Sequence, residues 1–128
     1  MKYCSIGEAS FKFNIPESTI RYYERKGLLP LIERDEAGRR LFSENQMELL
    51  ETVMRLKNTL MPIRSIKQYV DWVVEGDQTT ELRLAMMQDH KKAVLDKISL
   101  MTESLKGIDL KIARYRKRIQ KKNKEGEN

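Results

Sequence analysis

The sequence predicts a mainly α chain: a winged helix-turn-helix unit with a helix pair, followed by one long C-terminal helix. Three observations predict it. Residues 19–30 read as an arginine- and tyrosine-bearing helix that exits through Gly27, Leu28, Leu29 and Pro30. Residues 31–42 then change to a short hairpin pattern around Asp35-Glu36-Ala37-Gly38. Finally, residues 84–119 repeat apolar side chains at alternating three- and four-residue steps.

The elements follow in order. Tyr3-Cys4-Ser5 is an extended entry, and Ser5 with Glu8 three residues on forms a capping-box pattern for a first helix carrying Ile6, Ala9 and Phe13 inward. Asn14 sits where the chain must turn, and asparagine tolerates the left-handed conformation of a tight helix-to-helix turn. Pro16, at or next to the start of the second helix, completes a helix-turn-helix outline, because its missing N–H costs least there. Along the second helix Ile15, Ile20 and Tyr23 fall near one side, with Ser18, Arg21, Tyr22 and Arg25 on the other. Guanidinium forks and a stiff phenol suit the phosphates and base edges of a DNA groove, so this is the candidate reading face. Gly27 can adopt the positive φ that a helix exit asks for.

After the hairpin, Ser43 and Gln46 suggest a second capping box, and Leu49, Leu50, Val53, Met54 and Leu56 give the third helix an apolar side. Pro62 opens a fourth helix with Ile63, Ile66, Tyr69, Val70 and Val73 at helical spacing, closed by Glu75-Gly76-Asp77. The long helix carries a seam of Leu84, Met87, Val94, Ile98, Met101, Leu105, Ile108, Ile112, Tyr115 and Ile119, interrupted only by Lys91. So narrow a stripe, roughly 50 Å long at 1.5 Å per residue, cannot bury itself against a unit of about 75 residues and calls for a second copy. The expected division is 1–75 for the winged unit with its helix pair, 76–122 for the coiled-coil dimerisation helix, and 123–128 for a disordered basic and polar tail.

Composition bounds the class. Net charge is +6, yet residues 1–75 carry only +1 and residues 76–128 carry +5, so overall charge would misplace a DNA-binding surface. The single cysteine, Cys4, excludes an intrachain disulfide and reads as a small strand residue; His90 is a lone surface histidine. No nucleophile, acid–base pair, metal cluster or phosphate loop is assembled, so no enzyme activity and no cofactor are expected. No stretch of eighteen apolar residues occurs, which excludes a membrane helix and leaves a cytoplasmic protein as the expectation. Tyr69 and Trp72 mark the place to look for a small apolar ligand, though core packing is the first reading for both.

The motifs Ser5-Ile6-Gly7-Glu8, Thr19-Ile20-Arg21-Tyr22-Tyr23-Glu24, Gly27-Leu28-Leu29, Arg34-Asp35 and Gly38-Arg39-Arg40-Leu41-Phe42-Ser43 resemble the MerR family of bacterial transcriptional regulators. The similarity covers nearly the whole chain and is greatest to short members without an appended effector-binding domain. The resemblance implies a homodimer, with its long helices paired antiparallel, that binds double-stranded promoter DNA at a palindrome. It also implies distortion of an over-long spacer so that RNA polymerase can use the promoter, under a small effector of unknown identity. An architectural or recombination accessory DNA-bending protein is the alternative. By resemblance, Arg21 and Tyr22 match DNA-contacting positions, Arg40 the wing arginine, and Lys57 a phosphate contact on the third helix. The candidate DNA-binding set is therefore Ser18, Thr19, Arg21, Tyr22, Arg25, Arg40 and Lys57. Phe42 stands where a tyrosine is usual, Leu60 where a glycine is common, and Arg55 where several short relatives carry a sensing cysteine.

Overall fold

Three of the helices end in the same way, and this ending sets the angles of the N-terminal unit. The structure, a computed structural model, describes residues 2–126. Helix α1 spans Ile6–Phe13, α2 Glu17–Arg25, α3 Glu44–Asn58 and α4 Ile63–Glu75; a two-residue hairpin, β1 (Glu33–Arg34) and β2 (Arg40–Leu41), lies between α2 and α3. A 3-10 turn, Asp77–Thr79, leads into α5, Thr80–Gly126. At the exits of α1, α2 and α3 a left-handed residue reverses the chain: Asn14 (φ 52°), Gly27 (φ 77°) and Leu60 (φ 70°). In each case the next N–H bonds back five residues: Ile15 to Ser10 O (3.1 Å), Leu28 to Tyr23 O (2.9 Å) and Met61 to Leu56 O (2.9 Å). These are Schellman endings, which satisfy carbonyls that the last helical turn leaves open. Glycine takes the conformation without strain and asparagine with little, whereas leucine pays about 1–2 kcal/mol. Leu60 therefore holds, at 67% exposure, a backbone conformation better suited to glycine.

The starts are also specified locally. Ser5 and Glu8 make the full capping box, each side chain bonding the other's N–H at 3.0 Å. Pro16 is the extended residue just before α2, and Pro62 does the same for α4. At α3 only half of the expected box forms. Ser43 Oγ accepts from the Gln46 N–H at 3.2 Å, but the Gln46 amide turns away and donates to Pro30 O at 3.1 Å, tying the exit of α2 to α3.

The core gathers under α2 and α3. Ala9, Ile20, Leu28, Leu29, Phe42, Leu50, Val53, Ile66 and Val70 are essentially inaccessible, and Tyr23, Met47, Leu56 and Met61 nearly so. Leu28 and Leu29 are thus core residues, because the Gly27 reversal carries them back beneath the helix. The N-terminal strand joins this unit through an antiparallel bridge, with Cys4 and Phe42 exchanging N–H···O bonds of 2.8 Å in both directions. Phe42 keeps the packing role with no hydroxyl to place.

Two compact units divide at Met87/Gln88 rather than at residue 75. The first turns of α5 belong to the N-terminal unit because Met86 and Met87 pack on its core. Met87, expected in the seam, is to that extent a core residue of its own chain. Within the same unit, the Thr79 hydroxyl lies 2.6 Å from Trp72 O and 2.8 Å from Gly76 O, and accepts from Arg83 Nε at 3.1 Å. These contacts clamp the end of α4 to the start of α5.

In the second unit α5 is one uninterrupted helix with no buried residue. Its seam side chains Ile98, Met101, Leu105, Ile108, Ile112, Tyr115 and Ile119 are 42–72% exposed. The disorder expected from residue 123 is not found: the helix continues to Gly126, while residues 127 and 128 of that expected tail lie outside the described residues. Between residues 111 and 125 no proline or glycine breaks the pattern, and cations near a helix C-terminus meet its partial negative charge. No helix among the described residues is long and apolar enough to cross a membrane.

Candidate nucleic-acid interface

The candidate reading face stands on α2, whose inner side is fixed by Ile20 and Tyr23. Burial pushes the Tyr23 hydroxyl above its ordinary pKa, with the adjacent Tyr22 adding to the shift, so Tyr23 is a neutral packing residue. Ser18, Arg21 and Arg25 are exposed, and Thr19 is half-buried in the first turn. Arg21 bonds Glu17 one turn back at 3.1 Å, with both side chains more than 40% exposed. Such an i,i+4 surface pair is worth only about 0.3–0.5 kcal/mol, so the guanidinium exchanges partners at little cost. Tyr22 is half-buried against the core, its ring 6.2 Å from that of Tyr23 and tilted by 54°. Arg25 and Lys26 hold their charges 6.0 and 5.7 Å from the Tyr22 ring centre. The phenol thus stands in a small cationic cluster, which brings Lys26 into the face alongside the expected residues.

The wing is stiffened from inside. Asp35 Oδ1 accepts from the N–H groups of Ala37 (3.0 Å) and Arg39 (2.9 Å), while Oδ2 takes Arg39 Nε at 3.1 Å. These bonds, the Arg39 N–H first, hold the Asp35 carboxyl below its ordinary pKa. Gly38, at φ 82°, closes the tip, and Arg34 Nη1 donates to its carbonyl at 2.9 Å. Arg39 projects from the tip with 79% of its side chain exposed.

One carboxylate joins the wing to the reading helix. Glu24 Oε1 accepts from Arg40 Nε at 2.7 Å, and Arg34 Nη2 approaches the same carboxylate at 3.3–3.4 Å. Arg40 is only 21% exposed and Glu24 24%. Arg40, expected to reach DNA, is therefore held against α2, and the freer wing cation is Arg39. Helical spacing alone does not single out Glu24; its sequence signal is a lone acid among Arg21, Arg25 and Lys26, which answers cations elsewhere. Lys57 is exposed in the last turn of α3. Arg55 pairs with Glu51 at 2.9 Å.

A short helix-turn-helix, a cation-bearing second helix and an anchored two-stranded wing define a winged DNA-binding protein. The MerR HTH regulatory protein family matches residues 4–71, and the chain belongs to that family. An HTH-type transcriptional regulator of Haemophilus influenzae is 34% identical over 110 residues, spanning 86% of this chain and 82% of that protein. The mercuric resistance operon regulatory protein of Bacillus cereus is 33% identical, over 81% of this chain and 76% of that one. Among solved structures, the chain resembles HiNmlR, a MerR family regulator lacking the sensor domain and bound to promoter DNA. The TM-score is 0.83 and the identity 33%, over 91% of this chain and 92% of that one. A MerR family regulator from Bacillus thuringiensis gives a TM-score of 0.84 and 42% identity, over 88% of this chain and 99% of that one.

Proposed function

We propose that this chain is a sequence-specific transcriptional regulator that binds a palindromic promoter as a homodimer and distorts the spacer to control RNA polymerase. The observation that carries the reading is the anchored pair of α2 and wing, which offers Ser18, Arg21, Tyr22 and Arg25 beside Arg39 as one cationic front. Arg21 and Arg25 are suited to guanine edges and phosphates, Ser18, Thr19 and Tyr22 to phosphate hydrogen bonds, and Arg39 and Lys57 to flanking phosphates. Arg40 contributes through Glu24 by holding the wing in place. The DNA-bound relative supports the assignment of this front to a duplex.

In this reading α5 is the dimerisation element. Its seam from Leu84 through Val94, Ile98, Met101, Leu105, Ile108, Ile112 and Tyr115 to Ile119 pairs with a second copy, each apolar side chain gaining about 1–2 kcal/mol on losing its remaining exposure. The two α2 helices then reach successive major grooves, and the spacer's deformation energy is offset by phosphate contacts on both sides.

Arg21→Ala is expected to weaken binding to a palindromic promoter fragment by at least about 1 kcal/mol while leaving the dimer intact. Unchanged affinity removes α2 from the reading face. Ile98→Asp with Leu105→Asp should give monomers in sedimentation; a dimer that persists refutes the seam. Genome-wide footprints dispersed outside promoters would favour the architectural alternative.

A further inference from the structure

Over the middle of α5, residues 89–111, the charges of two seven-residue columns are sorted by sign. Asp89, Asp96 and Glu103 recur every seven residues on the side away from the seam. Lys97, Lys111 and Arg118 share a different seven-residue column with His90 and Ser104, and that column flanks the seam directly. Neither Lys97 nor Lys111 nor Arg118 has an acid three or four positions away, whereas Lys106, on another face, pairs with Glu103 at 3.0 Å. Arg118 rests over the Tyr115 ring at 5.4 Å.

What this column meets depends on how two copies of α5 pair. A parallel, in-register pair sets Lys91 of the seam against its own copy, burying two like charges. An antiparallel pair in the register that overlaps most of the seam, with Ile98 level with the partner's Ile108, sets Lys91 against the partner's Tyr115, where a cation meets an aromatic face. The same register lays the two basic columns along one side of the coil. Lys97 then faces the partner's Lys111, Lys111 the partner's Lys97, and the two Ser104 side chains meet at the two-fold axis. Ser104 Oγ donates to Leu100 O at 2.9 Å and keeps lone pairs for a further donor. Opposed like charges weaken such a pair unless an anion lies between them.

We infer that this side of the coil binds a linear polyphosphate chain, which bridges Lys97 and the partner's Lys111 on both sides of the axis and tightens the dimer. The inference rests on the antiparallel homodimer proposed above. Successive positions in the column stand about 10 Å apart along the helix, so the cations form a strip for an extended anion rather than a pocket for a compact one. Between Lys97 and Arg118 the column carries no aromatic residue, so the strip around the axis lacks the successive stacking platforms that hold single-stranded nucleic acid.

The test uses the full chain at constant, low ionic strength, with the dimer dissociation constant read by sedimentation. A chain that stays monomeric with every addition overturns the dimer reading itself. With the dimer established, medium-chain sodium polyphosphate should lower its dissociation constant about tenfold, the linkage expected when only the paired form binds the anion. Orthophosphate at matched ionic strength should not. The double variant Lys97→Gln, Lys111→Gln should lose the polyphosphate effect and, without polyphosphate, dimerise more tightly than the parent, because the opposed ammonium groups are gone. Arg21→Ala should keep the effect, which separates it from binding at the reading face. Equal tightening by orthophosphate, stronger tightening by oligothymidine, or a response retained in the double variant would each overturn the inference.

Discussion

Removing the Glu24 carboxylate tests whether the wing is held by α2 or only lies beside it. Glu24→Ala strands Arg40, whose Nε bonds the carboxylate at 2.7 Å with only 21% of the side chain exposed. A charged hydrogen bond in that setting contributes about 1.5–3 kcal/mol. Arg34 lies farther off, at 3.3 Å with 44% exposure, and solvent screening reduces its share to about 0.2–1 kcal/mol. Together these predict a loss of about 2–4 kcal/mol for Ala, and about half of that for Gln, which keeps an acceptor oxygen. For a unit of this size each kcal/mol moves Tm by about 4–8 °C, so Glu24→Ala should melt at least 8 °C lower by circular dichroism. DNA binding should change in two opposite directions. Freeing two guanidinium groups should strengthen non-specific binding and steepen its salt dependence, while promoter affinity falls because the wing no longer keeps its place. A Tm within about 2 °C of the parent, or specific and non-specific affinities moving together, would refute the anchoring role.

Other perturbations test the joints. Thr79→Val keeps the shape of a side chain that is 2% exposed but removes the hydroxyl shared by Trp72 O, Gly76 O and Arg83, and should cost about 1–2 kcal/mol in urea unfolding; no shift in midpoint would mean the α4–α5 clamp contributes nothing. Gly27→Ala should cost about 1–2 kcal/mol through its positive φ, since the added methyl meets only the flexible Lys67 stem, whereas Leu60→Gly should hold or raise stability; a clear loss on Leu60→Gly would contradict the strain assigned there. In acid, Asp35 and Glu8 act in the same direction: both carboxyls titrate below their ordinary values, held there first by the Arg39 and Ser5 N–H groups respectively. A carboxylate whose pKa is depressed by folding stabilises at pH above its unfolded value and loses that contribution as pH falls through the folded one. Stability should therefore decline below about pH 4.5, and Asp35→Asn should flatten part of that decline.

Most of the architecture was legible because it is written in short-range chemistry. The Ser5–Glu8 box, the left-handed Asn14 and Gly27, and the prolines before α2 and α4 act within five residues of themselves, and each appears where the local pattern puts it. Leu60 went further than the local rules alone allow, because burial of Leu56 and Met61 on either side of the turn enforces a conformation that leucine by itself disfavours.

Side-chain partnerships across the sequence were not legible. Gln46 abandoned the expected box for a carbonyl sixteen residues away, and Arg40 found Glu24 at the same separation, through distances only the folded chain creates. The boundary between the two units likewise moved into α5, because periodicity marks Met87 as a seam residue while the core claims it from the other side. The sequence by itself determined the four short helices with their caps, the hairpin and the long apolar seam, since these depend on residue spacing along one helix or turn. Tertiary structure decided which wing arginine is exposed and which is held against α2, where the compact unit stops, and how the wing is fixed, since those depend on which charges and apolar groups meet once the chain has closed on itself.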